Sequence, residues 1–193
     1  MSAFNSAGWY NAARAVPSPN QDPRPAGVAV DMLVVHNISL PPGQFGGDLV
    51  ERLFTNSIPV THPLFAELGT LRVSAHFFIR REGEVVQFVP VTQRAFHAGV
   101  SAWQGRSGCN DFSVGIELEG TDHMPYTEAQ YAALLLLSAE LAQFLSLRVM
   151  LGHNDIAPLR KTDPGPYFDW RRLYVALPQL TPVFTLRSDR PAL

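Results

Sequence analysis

The residues best suited to chemistry in this 193-residue sequence are histidines, acids and a lysine. The sequence contains six histidines, His36, His62, His76, His97, His123 and His153. A catalytic zinc site takes three protein ligands that offer nitrogen, sulfur or oxygen and keeps a fourth position for water. The composition permits such a site without requiring it. No HExxH, paired-cysteine, GxSxG or phosphate-binding glycine motif is present, which removes several common enzyme classes from first consideration.

Two of the histidines occupy equivalent places in the sequence pattern. His36 lies near the end of the apolar run "VDMLVVHNI", and His153 ends the run "RVMLGH". If these runs are neighbouring strands, the two imidazoles meet at one end of the sheet. Asp163 follows on a loop rich in proline, which holds a ligand rigidly. His36, His153 and Asp163 form a candidate metal triad, although strand-end histidines are also common at surfaces and Asp-Pro is a common turn pair.

Three charged residues could act beside such a metal. Glu117 and Glu119 alternate with apolar residues in "DFSVGIELEG" and therefore share one face of a strand. One of them could be a general base with a raised pKa, or both could lie on a solvated sheet face. Lys161 lies two positions before Asp163, where it could stabilise an oxyanion or be an ordinary surface charge.

The other histidines have simpler interpretations. For His76, in "VSAHFFIR", we expect a core or sheet-face residue with a hydrogen-bond partner. His97, in "AFHAGV", is at least as well suited to a cleft wall. His62 and His123 lie in loops and are expected at the surface.

The single cysteine and three aromatic residues complete the candidates. Cys109 has no second cysteine to pair with and is expected to be a small packing residue. Trp103, Phe96 and Tyr126 could line a sugar or peptide groove, or fill the core.

The elements that position these residues are strands interleaved with helices. "LRVSAHFFIR" and "VVQFVP" predict a β-hairpin that turns at Gly83. "DLVERLFTN" and "DWRRLYVAL" predict short helices, and "SIPVTHPLFAELG" predicts a long loop. Thr127 and Gln130 have the spacing of a capping box, and the helix they begin is apolar around most of its circumference, so we expect it to be largely buried.

This order predicts a single α/β domain over residues 1–193, with a mixed central β-sheet and helices packed on it, and it would place the candidate zinc site at one end of the sheet if the metal interpretation holds. The length suits one domain. The core is expected over about residues 8–177, and the proline-rich segment 178–193 is expected to run extended over the surface. The long helix can cover one sheet face and leave the other for a site.

Charge and composition limit the classes of molecule that this protein is expected to bind. Fifteen basic residues against 17 acidic ones, a net charge of −2, offer no electrostatic basis for binding nucleic acid or an anionic membrane. A small or neutral partner fits better, and the sequence does not indicate an oligomeric state. No signal peptide or membrane-spanning run is apparent, and one cysteine agrees with a reducing compartment, so we expect a cytoplasmic protein.

Ordered matches to one known family run through most of the chain. They include "GWYNAARAVPSPNQDPRP", "VVHNISLPPGQFGG", "LRVSAHFFIRREGEVVQFVP", "HAGVS", "NDFSVGIELEGTD", "YTEAQY" and "GHNDIAPLRKTDPGPYFDW". In these motifs the sequence resembles the zinc-dependent N-acetylmuramoyl-L-alanine amidases, in particular the cytoplasmic AmpD type that acts on 1,6-anhydromuropeptides. So many matches in order are more specific than any single motif, and they favour the metal interpretation. Phe96, Gly108, Asn154 and Leu159 depart from residues familiar in that family.

The resemblance implies a role for each candidate in the metal site. Zinc would be bound by His36, His153 and Asp163 on a fold like that of the peptidoglycan recognition proteins. Glu117 would activate the metal-bound water, and Lys161 would assist the oxyanion. Such a set is chemically sensible, because zinc polarises a carbonyl, a carboxylate removes a proton and a lysine offsets negative charge.

The resemblance also implies a reaction. The bond cleaved would be the amide between anhydro-N-acetylmuramic acid and L-alanine of the stem peptide, during peptidoglycan recycling. Arg72 would grip a stem-peptide carboxylate, Asn37 would orient the site, and His97 and Phe96 would contact the muropeptide.

Two alternatives to this hypothesis stay open. A peptidoglycan-recognition module of the same fold would bind without cutting, although such proteins usually lack a complete ligand set. A cell-wall amidase acting on polymeric peptidoglycan would be expected to carry an export signal, and none is visible.

Overall fold

The structure, a computed structural model, describes residues 2–59 and 65–182. The strands in these ranges are β1 (Arg14–Ala15), β2 (Gln21–Pro23), β3 (Met32–Ile38), β4 (Phe77–Ile79), β5 (Val85–Gln87), β6 (Gln93–Ala95), β7 (Ala102–Trp103), β8 (Arg106–Ser107), β9 (Ser113–Glu119) and β10 (Val149–Gly152). The α-helices are α1 (Leu49–Phe54), α2 (Glu128–Phe144), α3 (His153–Ile156) and α4 (Trp170–Ala176). Short 3₁₀ turns occur at Leu68–Thr70, Cys109–Asp111 and Pro178–Leu180.

A mixed sheet forms the centre of the molecule, as predicted. Its six strands lie in the order β1-β5-β4-β9-β3-β10. β4 and β5 are antiparallel, and every other neighbouring pair in this sheet is parallel. The predicted hairpin between β4 and β5 is confirmed, and Gly83 has the positive φ of 89° that its turn requires. Two small antiparallel pairs, β2 with β6 and β7 with β8, flank the sheet.

Side-chain alternation divides the sheet into two faces. Leu33 and Val35 of β3, with Ile116 of β9, pack in one core cluster with Leu134 and other residues of α2. All four are fully buried. Met32 and Val34 belong to a separate cluster. Because α2 covers one face, the residues of β3 and β9 with the other parity are left to build a site on the opposite face.

The helix α2 begins as predicted. The side chain of Thr127 accepts a hydrogen bond from the backbone of Gln130, and the Gln130 side chain accepts one from the backbone of Thr127. The expectation that this helix is largely buried holds for the side that faces the sheet. Its buried residues include Leu134, Leu137 and Leu141, while Leu136 on the outer side is 58% exposed.

The ends of the chain contribute more to the core than predicted. Phe4 and Leu180 are both buried in the cluster that contains α2. Leu180 belongs to a 3₁₀ turn, so the start of the tail folds back onto the domain instead of running extended. The rest of that tail from residue 183 onward, and His62 in the predicted loop, lie outside the described residues. Among the helices that the structure describes, none has the length and apolar character needed to cross a membrane.

Candidate metal centre

Parallel pairing assembles the site on the face away from α2. His36 of β3 is opposite Glu117 of β9, and Glu117 is opposite Phe78 of β4. On the other side of β3, Gly152 is opposite Val35, so His153 begins α3 beside His36. The two imidazoles meet, with Nδ1 of His36 3.0 Å from Nδ1 of His153. The prediction that two strand-end histidines are neighbours is confirmed.

Asp163 completes the predicted triad. Its Oδ2 lies 3.2 Å from Nδ1 of His36 and 3.0 Å from Nδ1 of His153. The two histidines are buried and the aspartate is partly buried. A tetrahedral zinc ion with ligands at about 2.1 Å separates its ligand atoms by about 3.4 Å, slightly more than observed. The three atoms are therefore spaced closely enough to share one small metal ion.

The protonation states of the triad also suit a metal. Burial is the main cause that lowers the pKa of His36 to about 4, and its hydrogen bond with Asp163 offsets part of that effect. For Asp163 burial alone would raise the pKa, but hydrogen bonds with His153 and His36 outweigh it and hold the pKa below its ordinary range. At neutral pH His36 is therefore a neutral imidazole and Asp163 is a carboxylate, and these are the forms that bind metals.

The outer nitrogens of the two histidines have partners as well. Nε2 of His153 lies 3.2 Å from the carbonyl oxygen of Ala98, which can only accept, so this nitrogen carries the ring proton. Nδ1 of His153 faces the Asp163 carboxylate on the other side of the ring. Nε2 of His36 lies 2.9 Å from Nδ1 of His97. A metal ion can replace the protons that these inner nitrogens otherwise share with Asp163, which is the physical reason that this cluster fits a metal.

The loop that carries Asp163 is held by backbone contacts. The amide of Asn154 donates to the carbonyl of Asp163 over 3.0 Å. The hydroxyl of Tyr126, which precedes α2, donates to the carbonyl of Pro164 over 2.8 Å. Tyr126 is thus a buried anchor for the loop, which agrees with the core alternative for this residue and not with the groove alternative.

A second anchor is Asp122, in the connection between β9 and α2. Its carboxylate accepts hydrogen bonds from Nδ2 of Asn37, over 2.8 Å, and from the hydroxyl of Thr162. Gly165 packs against the same residue, where a Cβ would lie 2.5 Å from the Cα of Asp122. These contacts join the end of β3, the β9–α2 connection and the Asp163 loop.

The two acids of β9 have different environments. Both oxygens of Glu119 accept from backbone amides, those of Gly46 and Arg81, so this buried acid stabilises two loops. Oε2 of Glu117 is buried without a hydrogen-bond partner in the described part of the chain. Burial raises the pKa of Glu117 well above 4.5, the nearby charge of Asp163 raises it further, and Lys161 lowers it. Glu117 is the member of the pair that has a free oxygen for chemistry, and the solvated-face alternative is excluded because β9 is buried throughout.

Lys161 lies at an open cleft beside the triad. The cleft measures about 490 Å³, and its walls include Asn37, Asp122, Arg160, Lys161 and Asp163. The positive charge of Lys161 lowers the pKa values of both His36 and Glu117, which places its ammonium group within electrostatic reach of the triad. A ligand in this cleft would therefore meet a lysine, an amide and the metal-binding carboxylate together.

The four residues predicted to contact substrate lie in different surroundings. Asn37 lines the cleft, whereas Arg72, Phe96 and His97 are not among its described lining residues. Arg72 is exposed and its guanidinium donates to the nearby carbonyls of Gly69 and Leu71. Phe96 is partly buried, with the Arg94 guanidinium 5.7 Å from its ring centre. Roles for Arg72, Phe96 and Asn37 in substrate binding stay predictions.

The predictions for His76, His123 and Cys109 agree with the structure. His76 is fully buried and accepts a hydrogen bond from the amide of Gly115, as expected for a core histidine. His123 is exposed. Cys109 is fully buried, in agreement with a packing role.

Sequence reasoning overlooked two residues near the site. No sequence pattern indicates the role of Asp122, because its partners Asn37 and Thr162 are distant from it in sequence. Gly115, in the middle of a buried strand, did give one, because glycine there often marks a close approach of another group. A Cβ at Gly115 would lie 2.4 Å from Cγ of His97.

Comparison with known proteins agrees with this geometry. The family model described as N-acetylmuramoyl-L-alanine amidase matches residues 26–166. The 1,6-anhydro-N-acetylmuramyl-L-alanine amidase AmpD of Escherichia coli strain K12 is 56% identical over 177 residues, which cover 90% of this chain and 97% of that protein.

Solved structures give the same result. A crystal structure of a selenomethionine AmpD derivative has a TM-score of 0.84 and 54% identity, and the match covers 90% of this chain and 98% of that one. The amidase AmiD of E. coli, in complex with anhydro-N-acetylmuramic acid-L-Ala-D-γ-Glu-L-Lys, has a TM-score of 0.58 and 28% identity over 82% of this chain and 62% of that one. The expected family is confirmed, and this chain belongs to the N-acetylmuramoyl-L-alanine amidases.

Proposed function

We propose that this protein is a zinc-dependent amidase that hydrolyses the amide bond between 1,6-anhydro-N-acetylmuramic acid and L-alanine of the stem peptide, in peptidoglycan recycling. The observation that carries the proposal is the convergence of Nδ1 of His36, Nδ1 of His153 and Oδ2 of Asp163 within 3.2 Å of one another beside an open cleft. The substrate follows from the similarity to AmpD over 90% of the chain. The cytoplasmic location expected from the sequence stays a prediction.

The ligand set favours zinc among common metals. Two imidazoles and one carboxylate, with no thiolate, form a three-ligand set of the kind that leaves a catalytic zinc ion an open position. When bound, zinc supplies Lewis-acid polarisation of the scissile carbonyl and makes water more acidic. The rest of the reaction depends on the residues around the triad.

Glu117 is the proposed general base. It lies opposite His36 in the neighbouring strand, and its Oε2 is buried without a partner among the described residues. Desolvation raises the pKa of this carboxyl, so it is a stronger base than an exposed glutamate once ionised. The same group can return the proton to the leaving nitrogen of L-alanine.

Lys161 and Asn37 are proposed to act on the substrate. As the carbonyl carbon becomes tetrahedral, negative charge collects on its oxygen, and the ammonium of Lys161 at the cleft wall offsets that charge. Asn37 is fixed by its hydrogen bond to Asp122 and lines the cleft, where its amide can contact the muropeptide. Asn37 is held by its side chain and Lys161 by the hydrogen bond of its backbone amide to Ala157, so the two residues are positioned before substrate arrives.

The proposal is tested by metal analysis coupled to product identification. Purified protein is incubated with a soluble anhydromuropeptide, with and without a chelator, and the products are identified by mass spectrometry. We expect one equivalent of zinc, release of the stem peptide with a free L-alanine amino group, and loss of that activity with the chelator. Full activity in the metal-free protein would contradict zinc dependence.

A matched pair of variants gives the control. Asp163→Asn removes the charged ligand and should abolish zinc binding and hydrolysis. Asp169→Asn makes the same chemical change at the N-cap of α4, where asparagine caps equally well, and should leave both unchanged. Muropeptide binding without product in the zinc-loaded protein would favour a recognition module. Faster release from intact sacculi than from the soluble muropeptide would favour a cell-wall amidase.

A further inference from the structure

Both candidate histidine ligands contact the same two-residue segment through their outer nitrogens. Nε2 of His36 lies 2.9 Å from Nδ1 of His97, and Nε2 of His153 lies 3.2 Å from the carbonyl oxygen of Ala98. This segment, His97-Ala98, follows β6 and comes from neither of the strands that carry the histidines. One dipeptide therefore contacts both imidazoles at Nε2, the ring nitrogen that does not face Asp163.

The direction of the His36–His97 hydrogen bond follows from Ser113. The hydroxyl of Ser113 donates to the carbonyl of Cys109 over 2.6 Å, so its proton is already used. Nε2 of His97 lies 3.2 Å from the same hydroxyl oxygen and must donate to it. In the neutral ring, which carries a single proton, that proton is therefore on Nε2. Nδ1 of His97 is consequently an acceptor.

The consequence reaches the metal site. Because Nδ1 of His97 accepts, Nε2 of His36 must donate to it, and the inner Nδ1 of His36 is left with a lone pair. The carbonyl of Ala98 has the same effect on His153. Each ring is thereby held in the one neutral tautomer that presents Nδ1 to Asp163 and to a metal.

The segment is itself held in place. The side-chain oxygen of Asn110 accepts from the amides of His97, over 3.1 Å, and Ala98, over 2.8 Å. The His97 ring lies directly against Gly115 of β9, where a Cβ would come within 2.4 Å of its Cγ. Any other residue at position 115 would push the ring away from His36.

We infer that the His97-Ala98 segment is the positioning element for both metal-binding histidines, and that Ser113, through His97, fixes the tautomer of His36. The inference rests on the proposed zinc site and deepens it. In this inference His97 acts on the reaction through His36, while the contact with the muropeptide that the sequence suggested for it stays a prediction. Outer partners of metal-bound histidines typically change metal affinity by 10- to 100-fold when removed.

Two variants of nearly equal size isolate the hydrogen bond. In His97→Asn, the side-chain oxygen takes the place of Nδ1 and can still accept from His36. In His97→Leu, a side chain with the same number of heavy atoms and the same branch point has no acceptor. Zinc affinity, measured by competition with a chromogenic chelator, should fall by about 10- to 100-fold for the leucine variant and by less than about threefold for the asparagine variant. Equal affinities for the two variants would overturn the inference.

A measurement without zinc separates this inference from the proposed function. In the metal-free protein, ¹⁵N NMR of the ring nitrogens should show His36 protonated on Nε2 in the wild type and in His97→Asn. In Ser113→Ala, His97 loses the acceptor that fixes its proton, and both tautomers of His36 should appear. A wild-type His36 protonated on Nδ1 would refute the tautomer argument. A wild-type protein that binds no zinc would refute the proposed function, while the NMR result would still decide the role of His97.

Discussion

Replacing Glu117 by glutamine should stabilise the metal-free protein at neutral pH while it abolishes hydrolysis. The residue is 9% exposed, and its Oε2 has no hydrogen-bond partner in the described ranges. Burial raises the pKa of this carboxyl well above 4.5, the charge of Asp163 adds to that effect, and Lys161 opposes it. The ionised group therefore costs stability that an isosteric, uncharged amide does not.

The sign and size of the effect follow from proton linkage. In the unfolded chain the carboxyl ionises near its ordinary pKa of 4.5, whereas the folded protein keeps it protonated to higher pH. Its contribution to stability is fully present below the unfolded pKa and is lost as the pH rises through the folded pKa. In that window the free energy of unfolding falls by up to about 1.4 kcal/mol per pH unit. Each kcal/mol corresponds to roughly 2–4 °C in melting temperature for a domain of this size.

The assay compares melting temperatures of chelator-treated wild type and Glu117→Gln between about pH 4 and pH 8. His36 acts in the opposite sense, because its pKa of about 4 makes the folded protein more stable as the pH rises from that value to 6.5. Both proteins carry His36, so the difference between the two curves removes its contribution. That difference should grow in favour of the glutamine variant as the pH rises. Hydrolysis by the zinc-loaded variant should fall by about 10²- to 10⁴-fold.

Glu119→Gln is the matched control, since Glu119 is a buried acid on the same face of the same strand. Its oxygens accept from the amides of Gly46 and Arg81, so an amide nitrogen in place of one oxygen leaves a buried donor facing a donor. This variant should be destabilised by about 1–3 kcal/mol at all pH values. If Glu117→Gln and wild type gave parallel curves across the pH range, the argument from desolvation would be refuted.

Three further outcomes are expected. Thr127→Ala removes the cap of α2, on the face away from the site, and should lower the free energy of unfolding in urea by about 0.5–2 kcal/mol without changing hydrolysis. Asp122→Ala removes the acceptor of Asn37 and Thr162 and should lower kcat/KM for the muropeptide more than it lowers zinc content, which metal analysis and steady-state kinetics would show. Zinc at 100 times its Kd should raise the free energy of unfolding by about 2.7 kcal/mol, measured as a melting shift that a chelator reverses and that Asp163→Asn lacks.

The triad could be predicted from sequence because its signals are local. His36 and His153 each stand where an apolar run ends, and the ends of neighbouring parallel strands share one edge of a sheet. Asp163 follows on a proline-rich loop. The cap of α2 was predictable for the same reason, since Thr127 and Gln130 are three residues apart.

The connections around the triad could not be predicted in this way. Asp122 contacts Asn37 from 85 positions away, and His97 contacts His36 from 61 positions away, so no short pattern records either contact. The exposure of Leu136 was missed for a related reason. Composition gives the apolar character of a helix but does not indicate how many neighbouring layers exist to cover it.

The row formed by Phe78, Glu117 and His36 across three parallel strands also determines which changes in chain length the protein tolerates. Added residues in the connections between strands leave the row intact. One residue inserted within β3 ahead of His36 would move the imidazole to the α2 face and bring Val35 opposite Glu117. The site therefore depends on position counted along each strand, so this protein can accept changes in loop length that it cannot accept within β3.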